Sequence, residues 1–196
     1  MAIKSGDDCS GESFEGLAVC SLDLTVFEDC HFVSCNFSGA VLKKCKFRDC
    51  SFDRCNLSNL QLHGSRFSGS KFADCKLVGI DWTRADFPNV PVWPQFEFRN
   101  CVLNDSSFFG LHLEQLVIEG CKVHEADFRE GNFNQSRFVA SDFTKSLFSK
   151  TSLAHVDFTD AVNYDIDITN NDVTRARFSR AEAVRLLLGI DIELVD

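Results

Sequence analysis

One large apolar residue recurs every five positions along most of this chain, and that spacing excludes the usual secondary structures. The series runs without a gap from Leu17 to Phe87. It resumes one residue out of phase at Phe98 and continues to Phe178, with Asn163 as its one polar member. A period of five matches neither the helical period of about 3.6 residues nor the strand period of about 2. The chain is therefore a repeat, and the repeat decides its fold.

A second position, two residues before each large one, holds small side chains. Nine of the ten cysteines occupy it, and only Cys9 does not. The other three positions of each repeat are mostly polar or charged. Because the N-terminal sequence resembles no export signal, we expect reduced thiols that pack as small hydrophobic residues in a cytoplasmic protein.

Phe and Leu are sorted with a longer period of 20 residues, which predicts that four repeats form one turn of a solenoid. One predicted column of stacked side chains contains Phe27, Phe47, Phe67, Phe87, Phe108, Phe128 and Phe148. Another contains Leu22, Leu42, Leu62, Trp82, Leu103 and Val123. With turns spaced by ~4.8 Å, about eight of them give a rod on the order of 40 Å long.

The repeat is interrupted once and ends before the C-terminus. Residues 88–97 hold all three prolines, and we expect one extra residue there in a bulge or kink, with a functional loop as the alternative. Ser179 and Glu182 have the spacing of a helix capping box, Gly189 suits the helix end, and a short strand is predicted from Ile190. This apolar helix either caps the last turn or joins two rods. We assign residues 1–16 to an N-terminal cap, 17–178 to the solenoid and 179–196 to the C-terminal segment.

The repeat of small, polar, Leu or Phe, polar and any residue resembles the pentapeptide-repeat family over residues 17–178. The resemblance implies an all-β fold, a right-handed quadrilateral β-helix with a short C-terminal capping or dimerisation helix. It also implies that the helix joins two copies, since similar family members dimerise in this way. The residues expected at that contact are Val184, Leu187, Leu188, Ile190 and Ile192.

Within the family, the chain resembles the subgroup that protects DNA gyrase, which includes the Qnr, MfpA and AlbG proteins. The near-gapless repeats with Phe at their centres carry this likeness, and residues 161–178 and 190–194 are similar to the albicidin-resistance protein. The resemblance implies that the protein imitates DNA and protects gyrase from a topoisomerase poison. The Qnr proteins carry two projecting loops that support protection from quinolones. We expect no such loops in this sequence, which favours resistance to another gyrase poison.

Composition and motifs favour a protein-binding function over catalysis. The net charge of −9 opposes direct binding to nucleic acid or to an anionic membrane. No apolar stretch is long enough to span a membrane. The five histidines fall at scattered outward positions, so we expect no enzyme, no metal site and no cofactor.

The acidity is concentrated in the C-terminal half, which contains 17 acidic and 10 basic residues. We expect carboxylates of that half to replace DNA phosphates in contacts with gyrase. The expected residues are Asp127, Asp142, Asp157, Asp160, Asp165, Asp167 and Asp172. The alternatives are a solubilising surface, a structural or adaptor module for another protein, and a gyrase inhibitor without a protective role.

Overall fold

The chain winds into a right-handed, four-sided solenoid of about eight turns, as predicted. The computed structural model describes residues 3–87, 94–190 and 192. Each turn has four sides, which we call A to D in chain order, and repeats on one side stack in parallel on those of the next turn. The core is one continuous cluster of central side chains along the rod.

The strands are short because one repeat forms one side. In chain order they are β1 (Asp8–Ser10), β2 (Ser13–Glu15), β3 (Ser21–Asp23), β4 (Val26–Glu28), β5 (His31–Val33), β6 (Val41–Lys43), β7 (Lys46–Arg48), β8 (Ser51–Asp53), β9 (Gln61–His63), β10 (Arg66–Ser68), β11 (Ser70–Ala73), β12 (Phe96–Arg99), β13 (Val117–Glu119), β14 (Asp157–Phe158) and β15 (Arg177–Phe178). A 3₁₀ helix at Trp82–Arg84 lies on side C, and α1 (Arg180–Ala183) continues into a second 3₁₀ helix at Val184–Gly189.

Parallel pairing in register distributes the strands over three of the sides. Side A consists of β2, β5, β8, β11, β12 and β13, with β14 and β15 nearer the C-terminus. Side C consists of β3, β6 and β9, and side D of β1, β4, β7 and β10. Side B pairs through isolated bridges, and bridges also continue sides C and D in the second half. Backbone hydrogen bonds therefore link successive turns on all four sides.

The large central residues stack along the axis, as the repeat predicts. The rings of Phe32 and Phe52 on side A are stacked with centroids 4.8 Å apart, and those of Phe47 and Phe67 on side D with centroids 4.5 Å apart. Rings of neighbouring sides meet edge to face, as Phe27 and Phe32 do at 5.3 Å. This alternation of stacked and edge-to-face contacts is a favourable arrangement for aromatic side chains in a packed core.

The interruption changes the predicted columns. Phe72 pairs with Phe98, 26 residues later, whereas Phe52 pairs with Phe72, 20 residues later. The turn therefore contains six extra residues rather than one. As a result Phe108 stacks on Trp82, with ring centroids 6.1 Å apart, and the prediction that it continues the column of Phe67 is wrong. Leu103 likewise follows Leu77 instead of Trp82. Most of the interruption, residues 88–93, lies outside the described residues.

The small inner side chains have a hydrogen-bonding role that the sequence did not reveal. The Cys55 thiol donates to the carbonyl oxygen of Phe32 at 3.3 Å and accepts the backbone N–H of Cys35 at 3.3 Å. Ser141 uses its hydroxyl in the same two ways, towards Ile118 at 3.2 Å and Cys121 at 3.0 Å. Ser141 thus makes both hydrogen bonds that a cysteine makes at this position. Side B carries one continuous column, Cys35, Cys55, Cys75, Cys101 and Cys121.

The first turn begins earlier than predicted and is two residues short. Cys9 pairs with Phe27 and Phe14 with Phe32, each 18 residues apart, so residues 8–15 already belong to the stacked sides. Val19, and not Leu17, is the fully inward residue of side B. The short corner that follows leaves Cys20 exposed, so its predicted inward position is wrong.

The last turn also departs from the predicted register. Tyr164 replaces Asn163 in the core, where its ring lies 5.6 Å from that of Phe158. Asn163 points outward because its backbone adopts a positive φ of 57°.

The predicted capping box is not formed, because both of its side chains bind the last turn of the solenoid instead. Ser179 accepts the N–H of Asp160 at 2.8 Å, and Glu182 accepts the N–H of Asn163 at 2.7 Å. The chain remains helical through Gly189, so this glycine is not the residue that follows the helix. Of the predicted strand after Ile190, only Ile190 and Ile192 are described, and neither lies in a strand.

Candidate partner-binding surface

The outward positions beside each central residue form the surface that a partner can reach. The residue before the central one is often Asp or Asn, and its side chain accepts the N–H of the residue after the central one. Asp142 accepts from Thr144 at 3.0 Å, and Asn56 accepts from Ser58 at 3.1 Å. This local turn is an Asx turn, which satisfies a backbone donor on the outside of the coil. Many of the surface aspartates therefore have a structural function.

The seven predicted aspartates do not form one patch. Asp157 lies on side A, Asp142 on side B, Asp127 and Asp167 on side C and Asp172 on side D, while Asp160 lies at the corner between sides A and B and Asp165 at the corner between sides B and C. The structure nevertheless brings five of them to one level of the rod. The last complete turn, residues 156–175, contains Asp157, Asp160, Asp165, Asp167 and Asp172. We call these five residues the carboxylate ring.

Asp127 and Asp142 lie outside the ring and have close partners. The carboxylate of Asp127 binds the guanidinium of Arg129 at 2.7 Å. Asp142 binds the imidazole of His124 at 2.9 Å and the amide of Asn163 at 2.9 Å. Partial burial raises the pKa of both carboxyls, but the hydrogen bonds outweigh it and hold each pKa below the ordinary value of 3.8.

The carboxylate ring is partly engaged with arginines that follow it in the chain. Asp157 binds Arg177 at 3.1 Å and Asp165 binds Arg185 at 2.6 Å. Hydrogen bonds from Thr169 lower the pKa of Asp167 below 3.8. Asp157 also has a lowered pKa, because the hydrogen bonds of its turn outweigh its burial. These two carboxylates are fully ionised at neutral pH. Several of the seven predicted aspartates are therefore paired with neighbouring side chains rather than free surface charges.

The C-terminal end of the rod is apolar inside the carboxylate ring. Val184 and Ile192 are 50% and 53% exposed, and Leu187 and Ile190 are half-buried. The side chain of Leu188 lies outside the described part. Phe178, in the last strand, is also only half-buried, although it stacks on Phe158. The predicted contact residues are therefore grouped at an incompletely covered end, and the second copy stays a prediction.

Other chemistry has little support in the described part of the chain. No group of three or more His, Cys, Asp or Glu residues there is placed to hold a metal ion. The ten cysteines are unpaired, and burial raises the pKa of the Cys50 thiol to about 12, which opposes nucleophilic reactivity. Among the described residues, no helix has the length and apolar character that crossing a membrane requires.

Comparison with known families agrees with the repeat. The model of a pentapeptide repeat region matches residues 25–108, and the model of eight pentapeptide repeats matches residues 121–160. The two matches together cover more than half of the chain. The chain belongs to the pentapeptide-repeat family.

Solved pentapeptide-repeat structures match nearly the whole chain. A trypsin-treated variant of QnrB1, a plasmid-mediated fluoroquinolone resistance protein, has a TM-score of 0.78 and 19% identity over 97% of this chain and 99% of that one. A second trypsin-treated variant has a TM-score of 0.71 and 18% identity over 96% and 97%. Full-length QnrB1 has a TM-score of 0.50 and 22% identity over 92% and 100%. Identities this low show the shared fold alone. No curated protein matches the sequence.

Sequence reasoning missed the turn-forming function of the aspartates, although a signal for it exists. The pattern Asp, central residue, Thr occurs at residues 81–83, 142–144, 157–159, 167–169 and 172–174, and each of these aspartates accepts from its threonine. In this pentapeptide-repeat protein the pattern marks an Asx turn. Arg185, which binds Asp165, was also missed, because no local pattern links it to the solenoid.

Proposed function

We propose that this pentapeptide-repeat protein binds DNA gyrase, a type II topoisomerase, in place of DNA and thereby relieves the enzyme of a topoisomerase poison. The observation that carries the proposal is the carboxylate ring, whose members lie on sides A, C and D of a narrow rod and at the two corners of side B. Duplex DNA likewise presents negative charge on every side, with about one charge per 1.7 Å of axis. A groove that holds DNA with basic residues can therefore accept this end of the rod.

The charge of the ring persists under physiological conditions, which supports the proposal. Asp157, Asp167 and Asp172 each have a pKa lowered by hydrogen bonds of their turns, so they stay ionised as the rod approaches another charged surface. Complementary charge accelerates association and selects a basic partner, and its effect falls with added salt. We therefore expect gyrase binding to weaken as the ionic strength rises.

A second copy at the apolar end would extend this imitation. End-to-end contact through Val184, Leu187, Leu188, Ile190 and Ile192 would cover that end and place two carboxylate rings next to each other. The acidic region would then lie at the centre of a rod of double length, which matches a DNA segment better than one short rod does. The homodimer is part of the proposed function.

The Asx turns determine how the proposal is tested. Replacing these aspartates by Lys would also remove the oxygen that accepts the hydrogen bond of the Asx turn. A loss of binding could then come either from the changed charge or from a disturbed turn. Replacing Asp157, Asp167 and Asp172 by Asn removes three charges and keeps the acceptor, since Asn36 and Asn56 make the same turn natively. We expect this triple variant to bind purified gyrase more weakly and to protect its supercoiling activity less. The matched control is Asp81→Asn, which alters the same turn in the other half of the rod.

The triple variant must also keep its fold, as judged by a single cooperative thermal transition and an unchanged circular-dichroism spectrum. If it folds and protects gyrase as well as the parent does, DNA imitation by the ring is wrong and the adaptor function takes its place. Loss of supercoiling without relief of any poison would instead indicate an inhibitor. The interrupted turn holds six residues more than its neighbours, so a quinolone and an unrelated gyrase poison should both be assayed.

A further inference from the structure

A basic groove lies at the corner between sides C and D in the N-terminal half of this acidic protein. It has a volume of about 640 Å³, within the range of about 300–1,000 Å³ that is typical of ligand-binding clefts. Two columns of residues along the rod form it. The corner column contributes Leu24, Lys44 and Gly64, and the flanking column contributes Lys46, Arg66 and Asp86.

Two of the charges in the basic groove are uncompensated. Lys44 and Lys46 are exposed and form no ion pair with any residue that the structure describes. Arg66 differs, because its guanidinium binds the carboxylate of Asp86 at 2.6 Å. Lys44 belongs to the corner column and Lys46 to the flanking column of the same turn, so the two free ammonium groups flank the groove. This local positive site is opposite in sign to the net charge of −9 of the whole chain.

Leu24 places an exposed apolar side chain at a corner whose backbone conformation is unfavourable for leucine. Its backbone has a φ of 52°, the left-handed conformation that favours Gly, Asn and Asp, and its side chain is 62% exposed. Among the described non-glycine residues with positive φ, it is the only large apolar one. A leucine that is unfavourable both for its backbone and for its exposure suggests selection for contact with a partner.

Gly64 keeps the basic groove open. Its φ of 64° fits the corner, and a Cβ atom added there would meet only the Cγ of Lys44, at 3.9 Å. The corner column therefore lacks a side chain between Lys44 and the next turn. The resulting gap gives an incoming chain access to the ammonium groups and to Leu24.

We propose that the basic groove binds an extended acidic segment of a partner protein, with carboxylates at Lys44 and Lys46 and an apolar side chain against Leu24. This inference does not depend on gyrase binding by the carboxylate ring. A protein segment fits better than nucleic acid for two reasons. Asp86 lines the groove and, with the overall negative charge, repels a long array of phosphates. The side chain of Leu24 has no donor or charge that could bind a phosphate, but it can pack against an apolar side chain.

Fluorescence anisotropy with the full chain tests the proposal. The probe is a labelled synthetic peptide of alternating glutamate and leucine, compared with the same peptide carrying glutamine for glutamate and with a labelled DNA duplex. We expect the acidic peptide to bind and the glutamine peptide not to bind. Lys44→Glu with Lys46→Glu should weaken binding about tenfold or more, since two exposed contacts become repulsive. The control is Lys150→Glu with Lys122→Glu, where Lys150 holds the corner position of a later turn and Lys122 holds an outward position on side B, away from the groove.

A second variant separates the apolar contact from charge. Leu24→Asn suits the left-handed backbone better than Leu does, so it should fold at least as well as the parent. It should weaken binding of the leucine-containing peptide and leave a glutamate–serine peptide unaffected. The proposal is overturned if the acidic peptide does not bind, if the control pair weakens binding as much as the groove pair, or if Leu24→Asn has no effect. Tighter binding of the duplex, lost in the groove pair, would make the groove a nucleic-acid site instead.

Discussion

The side-chain amide of Gln95 donates a hydrogen bond to the backbone carbonyl of Phe67, and this bond replaces one that an inner side chain makes elsewhere in the rod. Two turns earlier on the rod, the thiol of Cys50 donates to the carbonyl of Phe27 at 3.6 Å. The residue in the corresponding position after the interruption is Phe96, which has no donor. Gln95, 2% exposed, supplies the missing hydrogen from the neighbouring position.

Replacing Gln95 by Met should therefore destabilise the protein more than its change in packing suggests. The variant keeps the side-chain length but leaves the carbonyl of Phe67 buried and unpaired, which costs about 1–3 kcal/mol. Urea unfolding measures the free energy of unfolding. Gln61→Met, in the exposed position of β9, is the matched control and should change little. Equal stabilities of the two variants would show that the Gln95 bond contributes nothing.

The repeat predicted most of the fold, and its failure at the interruption has a simple cause. An insertion of one residue and an insertion of six leave a five-residue pattern in the same phase. Periodicity therefore cannot tell whether Phe108 stacks on Phe87 or on Trp82. Only the pairing of Phe72 with Phe98 decides it, and that pairing depends on where the chain re-enters the core.

The candidate surfaces were less predictable, since they depend on how turns stack. The outward positions of Asp127 and Asp142 follow from the repeat, but the hydrogen bonds of Asp142 reach His124 and Asn163 in the neighbouring turns. The basic groove is similar in this respect. Lys44 and Lys46 are close in sequence, yet Gly64 and Leu24 join them only through the 20-residue turn.

The hydrogen bonds that thiol and hydroxyl share at the inner position predict the outcome of substitutions at Cys55. Cys55→Ser should keep the bond to the carbonyl of Phe32, as Ser141 does towards Ile118. Cys55→Ala should lose it and leave that carbonyl unpaired, at a cost of about 1–3 kcal/mol relative to the serine variant. Thermal or urea unfolding of the three proteins measures this difference. A serine variant as unstable as the alanine variant would mean that the thiol acts only by filling space.

The exposure of the cysteines predicts one reactive thiol in the native protein. Cys20 is exposed, whereas the other nine cysteines are buried. Burial also raises the pKa of the Cys50 thiol to about 12, and the thiolate is the reactive form. Brief treatment with iodoacetamide should therefore add a single group, which mass spectrometry detects. Cys20→Ser should abolish this adduct, and rapid labelling of several thiols in the folded parent would contradict the buried column.

The exposed apolar end predicts a dimer that can be broken without unfolding the monomer. Val184→Arg should produce a monomer with an unchanged thermal transition, because a side chain that is 50% exposed contributes little to the core of one rod. Sedimentation at micromolar concentration distinguishes the two states. Leu147→Arg, at a comparably exposed apolar residue on side C, is the control and should leave the dimer intact. A monomeric parent at that concentration would refute the dimer.

The carboxylate of Asp142 joins three successive turns of side B, so its ionisation should affect stability. It binds His124 below, Asn163 above and both the N–H and the hydroxyl of Thr144 in its own turn. Burial raises its pKa, but the hydrogen bonds outweigh burial and hold the pKa of Asp142 well below 3.8. A carboxyl with a lower pKa in the folded than in the unfolded state stabilises the protein above the unfolded value. This contribution is lost as the pH falls below about 4.

Asp142→Asn should remove this pH dependence and keep the Asx turn. At pH 7 we expect the variant to be less stable by about 1–2 kcal/mol, since hydrogen bonds to a charged group are stronger than neutral ones. As the pH falls below about 4, the parent protonates and loses its advantage, so the two free energies of unfolding should converge. Urea midpoints measured across this range test the expectation. The control Asp74→Asn, at an exposed corner, should follow the parent at every pH, and parallel curves for Asp142→Asn and the parent would place the pH dependence in other groups.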